Sequence, residues 1–267
     1  MTVDSIAGTV GCMATDQFAS ALALAREASR VEVFTGAGMS AESGLDTFRD
    51  AQTGLWTKVD PVAFASVDSW ARDPEPMWAW YLWRGTVCRR AEPNPGHRAI
   101  ADWSLLADVH VGVTTQNIDN LHERGGMDDV VHLHGSLFDY RCTICSRPWK
   151  GEVEFPDEPV ARMAPPECPL CGNLVRPGVV WFGEQLPQDE WGRAEARMAA
   201  ADLVVVVGTS GVVHPAAGLP LVAKHFGAKI LEISPEETEL SRIADVSWRT
   251  TAAQGLTQLV MGLTLDA

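Results

Sequence analysis

Hydrophobic positions along this chain follow two periods. Phe18, Ala21, Leu22, Leu24 and Ala25 recur at helical spacing, and Val31-Glu32-Val33-Phe34-Thr35 directly after them reads as a strand. His110 to Thr114, Val130 to Leu133, Leu203 to Val207 and Lys229 to Ile233 repeat the strand pattern. Leu203 to Val207 is apolar at every position and ends in Gly208-Thr209-Ser210, as suits a parallel strand buried on both faces. Residues 253–263 return to helical periodicity and close the chain as an amphipathic helix. Residues 1–15 carry no periodicity, which predicts a loose extension ahead of a core that begins near Asp16.

Strands separated by helical patterns predict an α/β fold with a Rossmann-like parallel sheet. Two segments interrupt it. Residues 73–92 hold Met77, Trp78, Trp80, Tyr81, Leu82, Trp83 and Val87, an aromatic helix that ends before Asn94-Pro95, an N-cap and first residue for the next helix. This stretch belongs to a helical insert over about residues 57–93, which an ordinary mononucleotide-binding half would lack. The second interruption, about residues 138–178, is rich in proline and charge and carries paired cysteines. The expected organisation is one domain over residues 16–267, with sheet core, helical insert and a small module looped out of the sheet.

At 267 residues the chain can bury a substantial core. Its net charge of −14 and lack of any Lys/Arg block argue against nucleic acid as a direct partner, because such binding draws on phosphate neutralisation. A basic protein tail remains compatible with that charge. The longest aliphatic run, Leu203 to Val207, is far too short to span a bilayer, and residues 1–20 lack the basic start and apolar stretch of a secretory signal. A cytoplasmic protein without a membrane partner is expected. Cys12 and Cys88 stand apart, whereas Cys142-x-x-Cys145 and Cys168-x-x-Cys171 are separated by 22 residues, a spacing that suits tetrahedral zinc. Redox-active or merely buried cysteines are the alternative, but two such pairs in a core-poor segment favour a metal that helps the segment fold. Four thiolates leave no open position, so one structural ion is expected.

Gly36-Ala37-Gly38-Met39-Ser40-Ala41 follows the first strand directly. A glycine turn between strand and helix lets backbone N–H groups approach a pyrophosphate, which makes a dinucleotide the first candidate ligand. Polar residues at other strand ends reinforce it: Gln116-Asn117-Ile118-Asp119 after the second strand and His134-Gly135 after the third. Asn117 and Asp119 lie on one side of an extended segment and suit ribose hydroxyls or a carboxamide, although both also favour turns. His134 suits proton abstraction near neutral pH, but His132 shares its face, and spacing alone does not choose between them. Thr47-Phe48-Arg49-Asp50 and Gly54-Leu55-Trp56 read as a loop covering a cofactor. Tyr81 and Arg84, three apart on a helix, form either the polar rim of an aromatic packing face or a fork for a carboxylate.

Together these residues resemble the sirtuin family of NAD-dependent protein deacylases, over nearly the whole chain from Val31 onward. The resemblance rests on Gly36-Ala37-Gly38-Met39-Ser40-Ala41-Glu42-Ser43-Gly44, Phe48-Arg49, Gln116-Asn117-Ile118-Asp119, His134-Gly135, Val179-Val180-Trp181-Phe182-Gly183-Glu184 and Gly208-Thr209-Ser210. It implies His134, rather than His132, as the base. It also implies NAD as co-substrate, bound by Gly36, Ala37, Gly38, Ser40, Ala41, Glu42, Thr47, Phe48, Arg49, Gln116, Asn117, Ile118, Asp119, Gly208, Thr209, Ser210, Ser234, Glu236 and Ala252. Val180, Phe182 and Gly183 would pair as a strand with the acylated peptide. Ala41-Glu42-Ser43-Gly44, Thr47 and the pair Tyr81 and Arg84 are similar to the branch that removes succinyl and related acidic acyl groups from lysine, alongside acetyl.

The reaction so implied begins with attack of the substrate amide oxygen on the nicotinamide ribose. Nicotinamide leaves, His134 deprotonates a ribose hydroxyl, and the acyl group moves to give O-acyl-ADP-ribose. Three positions depart from the family pattern: Asp46 for proline, Gly178 for a histidine, which would loosen the peptide entrance, and Ser234 for an asparagine at the adenosine ribose. Mono-ADP-ribosyl transfer and a non-catalytic NAD-sensing zinc scaffold share part of this pattern. The first differs in product, and the second needs no base beside the ribose.

Overall fold

The computed structural model describes residues 4–45, 60 and 64–265, with side chains from residue 16 onward. Asp46, Thr47, Phe48, Arg49 and the rest of the expected covering loop lie outside the described residues, as does the side chain of Cys12.

The strands in chain order are β1 (Arg30–Thr35), β2 (His110–Thr115), β3 (Val130–His132), β4 (Gly135–Cys142), β5 (Val175–Val179), β6 (Leu203–Val207), β7 (Lys229–Ile233) and β8 (Val246–Trp248). Six of them form a sheet ordered β3-β2-β1-β6-β7-β8, parallel throughout, while β4 and β5 make a separate antiparallel hairpin. Without the hairpin this is the strand order of the predicted Rossmann-like fold, with its switch point between β1 and β6. Thr35 at the end of β1 pairs with Thr115 on one side and Val207 on the other.

Helices cover both faces, which is why the strands are apolar at both parities. Val31 and Val33 pack on one side against α1 (Asp4–Glu27), α5 (Pro95–Ser104) and α9 (Ala252–Thr264). Phe34 packs on the other against α7 (Gln188–Ala200) and α8 (Leu219–His225). Asn94 caps α5 as predicted, accepting the Gly96 N–H at 2.9 Å with Pro95 in the first turn. Its amide also donates to Met39 O at 2.8 Å, tying that cap to the glycine turn.

The insert contributes α3 (Val67–Arg72) and α4 (Pro74–Arg90). Met77 to Leu82 are consecutive and all buried, so α4 is enclosed rather than amphipathic. Trp70, Trp78, Trp80 and Leu82 form a third core with Leu137, Val179 and Trp181 of the hairpin region. Two further short helices are α2 (Gly38–Ala41) and α6 (Leu121–Arg124). No helix among the described residues is long and apolar enough to cross a membrane.

One expectation is corrected at the N-terminus: residues expected to be loose are helical from Asp4, continuous with the periodic segment. Once nucleated, a helix propagates at one hydrogen bond per residue without needing an apolar stripe. Several elements with weak or short signals were missed. In α7 the buried residues are only Ala194 and Met198, a weak stripe; β8 has only three residues; and β4 with β5 falls inside a segment read only for its cysteines.

Glu32 sits in the middle of β1, 3% exposed, accepting from the Thr114 hydroxyl at 2.6 Å, with the Arg197 guanidinium at 3.8 Å. Burial pushes its carboxyl up from 4.5 to about 7, against the pull of Thr114 and Arg197. The folded-state value exceeds the unfolded one. Its contribution to stability is therefore complete below pH 4.5 and is lost as the pH rises through about 7. That span corresponds to about 3 kcal/mol. Glu32→Gln keeps the acceptor and cannot ionise, so its stability should gain on that of wild type by up to this amount between pH 5 and pH 8. Urea unfolding at both pH values checks this, and parallel stability curves would refute it.

Candidate active site

The mouth of the switch point is built from backbone. Gly36 N–H donates to Val207 O at 3.1 Å and Gly38 N–H to Gly208 O at 2.8 Å. A Cβ at Gly36 would lie 2.8 Å from Gly208 O, and one at Gly38 would lie 2.8 Å from Gly208 Cα. The glycine turn thus rests directly on the turn that carries Gly208, Thr209 and Ser210. It opens into α2, which holds Ser40 and Ala41.

Side chains from three strand ends then interlock. Gln116 donates its amide to Thr209 Oγ1 at 2.9 Å, bridging the ends of β2 and β6 across β1. Asn117 Nδ2 donates to Ser40 Oγ at 3.2 Å, and Ser40 donates to Asp119 Oδ2 at 2.9 Å. The Leu121 N–H donates to the other Asp119 oxygen at 3.0 Å. Burial raises the Asp119 carboxyl above its ordinary value, and these donors oppose the rise. Below them, Thr35 donates to Thr115 Oγ1 at 2.8 Å, which also accepts the Asn117 N–H at 3.0 Å. Ile118 packs against the insert's core.

The two candidate histidines differ in what they already hold. His132 is engaged at both ring nitrogens, Nδ1 at 2.9 Å from Asn117 O and Nε2 at 2.7 Å from Glu123 Oε1. Burial pulls its value down, but the Glu123 carboxylate outweighs that and raises it. His134 donates Nδ1–H to Gln116 O at 2.9 Å, which selects the tautomer with a lone pair on Nε2. Burial holds its value below the usual 6.5, so the ring is neutral at pH 7. Gly135 has φ +73°, and a Cβ there would lie 2.0 Å from Gly178 O.

The remaining expected cofactor residues lie apart from His134, on the β7–β8 side of the switch point. Ser234 directly follows β7, 8% exposed, and accepts the Glu236 N–H at 3.4 Å. Ala252 opens α9. The Glu42 carboxylate is taken up by that same helix end, accepting from Thr251 at 3.0 Å and from the Ala253 N–H at 2.8 Å.

Tyr81 and Arg84 do share one face of α4, near the floor of this mouth. Burial pushes the Tyr81 hydroxyl up to about 12. Burial also lowers the Arg84 value, while the Tyr81 oxygen and the Asp119 carboxylate raise it. Arg84 Cζ stands 4.9 Å from the centre of the Trp80 ring. The segment expected to pair with the peptide, Val180 to Gly183, follows the end of β5 at Val179; Phe182 forms an isolated parallel bridge with Ser66, and a turn begins at Gly183. Glu184 closes that turn, donating its N–H to Trp181 O at 3.0 Å and accepting the Trp181 N–H at 2.8 Å. Val180 N–H donates to His134 O and Phe182 N–H to Ala65 O, so two of its donors are already used. Gly178 abuts Asp139, where a Cβ would lie 2.8 Å from Asp139 Cβ. Its lack of a side chain permits close packing of the hairpin there.

The four cysteines converge as the spacing predicts. Their sulfurs all lie within 4.8 Å of one another, with Cys142 to Cys171 at 3.4 Å and Cys145 to Cys168 at 3.8 Å. A tetrahedral ion with zinc–sulfur bonds of about 2.3 Å requires sulfurs about 3.8 Å apart. The set is thus placed to bind one zinc ion with no coordination position left over.

The model of the Sir2 family matches residues 36–215. The chain belongs to the Sir2 family. Among Sir2 relatives, the NAD-dependent protein deacylase of Corynebacterium glutamicum is 63% identical over 91% of this chain and 95% of its own length. The NAD-dependent protein deacylase of Mycobacterium tuberculosis is 49% identical over 86% of this chain and 96% of its own. A solved Sir2 homologue in complex with NAD superposes with a TM-score of 0.84 at 44% identity, covering 92% of this chain and 93% of its own. The sequence-level resemblance and the observed sheet are therefore those of an enzyme family whose named relatives act with NAD.

Metal analysis of the purified protein should return one zinc per chain. Cys142→Ser should lose it and speed amide exchange across residues 138–178, while the central strands keep their protection. Stoichiometric zinc in that variant, or unchanged exchange, would count against the assignment.

Proposed function

We propose that this protein removes acyl groups from lysine side chains of other proteins at the expense of NAD, favouring succinyl and related acidic groups and also accepting acetyl. The observation that carries the catalytic part is the state of His134: neutral, oriented through Nδ1, with its Nε2 lone pair directed away from Gln116 beside a cluster suited to hydroxyls. NAD supplies a breakable nicotinamide–ribose bond whose carbon can take the acyl oxygen. Ser40, Asn117 and Asp119 orient the ribose hydroxyls, and His134 Nε2 takes a proton from one of them. The Gly36–Gly38 turn, Thr209 and Ser210 serve the diphosphate, while Ser234, Glu236 and Ala252 serve the adenosine end. Phe48 would shield the reacting carbon, and Arg49 and Thr47 would position the cofactor's reacting end. Zinc takes no part in the chemistry, since four thiolates fill its coordination.

Peptide pairing falls to the carbonyl groups of the turn at Val180 and Phe182 and to Gly183, which allows broad sequence tolerance. Acyl preference follows from Tyr81 and Arg84. A carboxylate entering a buried pocket loses its hydration, and a cationic fork beside a hydroxyl offsets that loss. A cytoplasmic location accords with cysteines kept reduced for a metal. With one water consumed, the products would be nicotinamide, the free lysine and O-acyl-ADP-ribose, and mass analysis of the acyl product separates this reading from ADP-ribosyl transfer to protein.

His134→Ala should leave NAD affinity and thermal stability close to wild type and lower kcat about 100-fold or more. In wild type the acid limb of the kcat profile should lie below pH 6.5, since the base must be neutral and burial depresses its value. Turnover near wild type in well-folded His134→Ala would remove this residue from the mechanism.

Arg84→Met should cost desuccinylation about 2 to 5 kcal/mol in transition-state binding, with deacetylation affected far less. Comparing kcat/KM for matched succinyl-lysine and acetyl-lysine peptides decides the matter. Equal losses on both would make Arg84 a packing residue of the aromatic helix.

A further inference from the structure

A phenol hydroxyl turns about its C–O bond, so Tyr81 can select an acyl carboxylate only if something fixes where its proton points. Trp181 is placed to do this. Its indole Nε1 is buried and has no hydrogen-bond partner among the described residues, a costly state for a donor. Its ring lies 6.4 Å from the Tyr81 ring at an interplanar angle of 31°. The indole N–H and the Arg84 charge both favour negative charge on the Tyr81 oxygen, against the larger effect of burial.

The indole is also held rigidly. Arg176 Cζ stands 3.2 Å over its ring, and Trp70 lies 5.3 Å from it on another side. Arg176 is fixed in turn by two bonds to the Glu184 carboxylate, at 2.5 and 2.9 Å, and by one to Val179 O at 2.9 Å. The direction of the Nε1–H bond is therefore set before any substrate arrives, which is the condition for useful orientation.

We propose that Trp181 is a positioning residue for acidic acyl groups, donating its Nε1–H to the Tyr81 hydroxyl oxygen as substrate enters so that the Tyr81 O–H points at the acyl carboxylate. This rests on the acidic-acyl reading of Tyr81 and Arg84. Trp181 touches no reacting atom; it acts through Tyr81.

The test is a double-mutant cycle in the full-length protein with Trp181→Phe and Tyr81→Phe, each measured on matched succinyl-lysine and acetyl-lysine peptides. Trp181→Phe should lower the succinyl-to-acetyl ratio of kcat/KM about 3- to 10-fold, the scale of one neutral hydrogen bond. In the Tyr81→Phe background it should change that ratio by less than about 2-fold. Equal losses on both peptides, or full additivity, would overturn the role of Trp181. Should Tyr81→Phe and Arg84→Met themselves leave the ratio unchanged, the acidic-acyl reading fails first; a ratio that responds to them but not to Trp181→Phe sinks this proposal alone. If Trp181→Phe does not fold, the indole Nε1–H resonance of Trp181 gives a second reading. It should shift in Tyr81→Phe and shift more with the succinyl-lysine peptide than with the acetyl-lysine peptide, and an unmoved resonance refutes the bond.

Discussion

Everything at the mouth of this sheet depends on two backbone turns touching without side chains between them. Gly208 has φ +61°, and a Cβ there would lie 2.2 Å from Met39 N, inside the turn that starts α2. That contact lets Gly38 N–H reach Gly208 O and sets α2 directly above the switch point. Ser40 is on that single turn, so its 2.9 Å bond to Asp119 is a consequence of the glycine contact. So is the reach of Gln116 to Thr209. A methyl group at position 208 would push apart turns that several polar side chains are measured against.

The β4–β5 hairpin carries the second constraint. One end is pinned where Cys142 pairs with Val175 beside the cysteine cluster; the other is where Gly135 pairs with Val179 and Val180 N–H meets His134 O. The metal-binding end and His134 are thus opposite ends of one rigid element. A link also runs to the insert, since Trp70 donates its indole N–H to Thr143 at 3.2 Å and lies beside Trp181. An ion without open coordination positions can in this way matter to a distant site through stiffness alone. The arrangement accounts for a core-poor module sitting next to a core made of tryptophans.

What could be read from the sequence followed period and composition. The central strands, the Asn94 cap and the cysteine cluster were legible because each has a strong local signal: a continuous apolar run, an Asn-Pro pair, or paired thiols. The first part of α1, residues 4–15, carries no apolar periodicity, α7 fully buries just Ala194 and Met198 with Trp191 half-buried beside them, and β8 is too short for any period. Hidden for a different reason is the partner that shapes the chain after Val179, the Glu184 carboxylate, which holds Arg176 and the Trp181 N–H. No propensity records such a tertiary bond.

The choice between His132 and His134 shows the same limit at single-atom scale. Both follow apolar residues and both lie on one parity, so spacing ranks them equally. Position in the strand separates them. His132 still belongs to β3, where Asn117 O and Glu123 reach both ring nitrogens and the carboxylate favours its charged form. His134 lies just beyond the strand, where, among the described residues, its ring bonds Gln116 O at Nδ1. The first ring is thereby committed to a structural pair, while the second keeps a neutral, oriented nitrogen for a proton. An acceptor pinned by a backbone carbonyl rather than a carboxylate gains orientation without gaining a counter-charge, and burial can then hold its value low enough to act as a base at neutral pH.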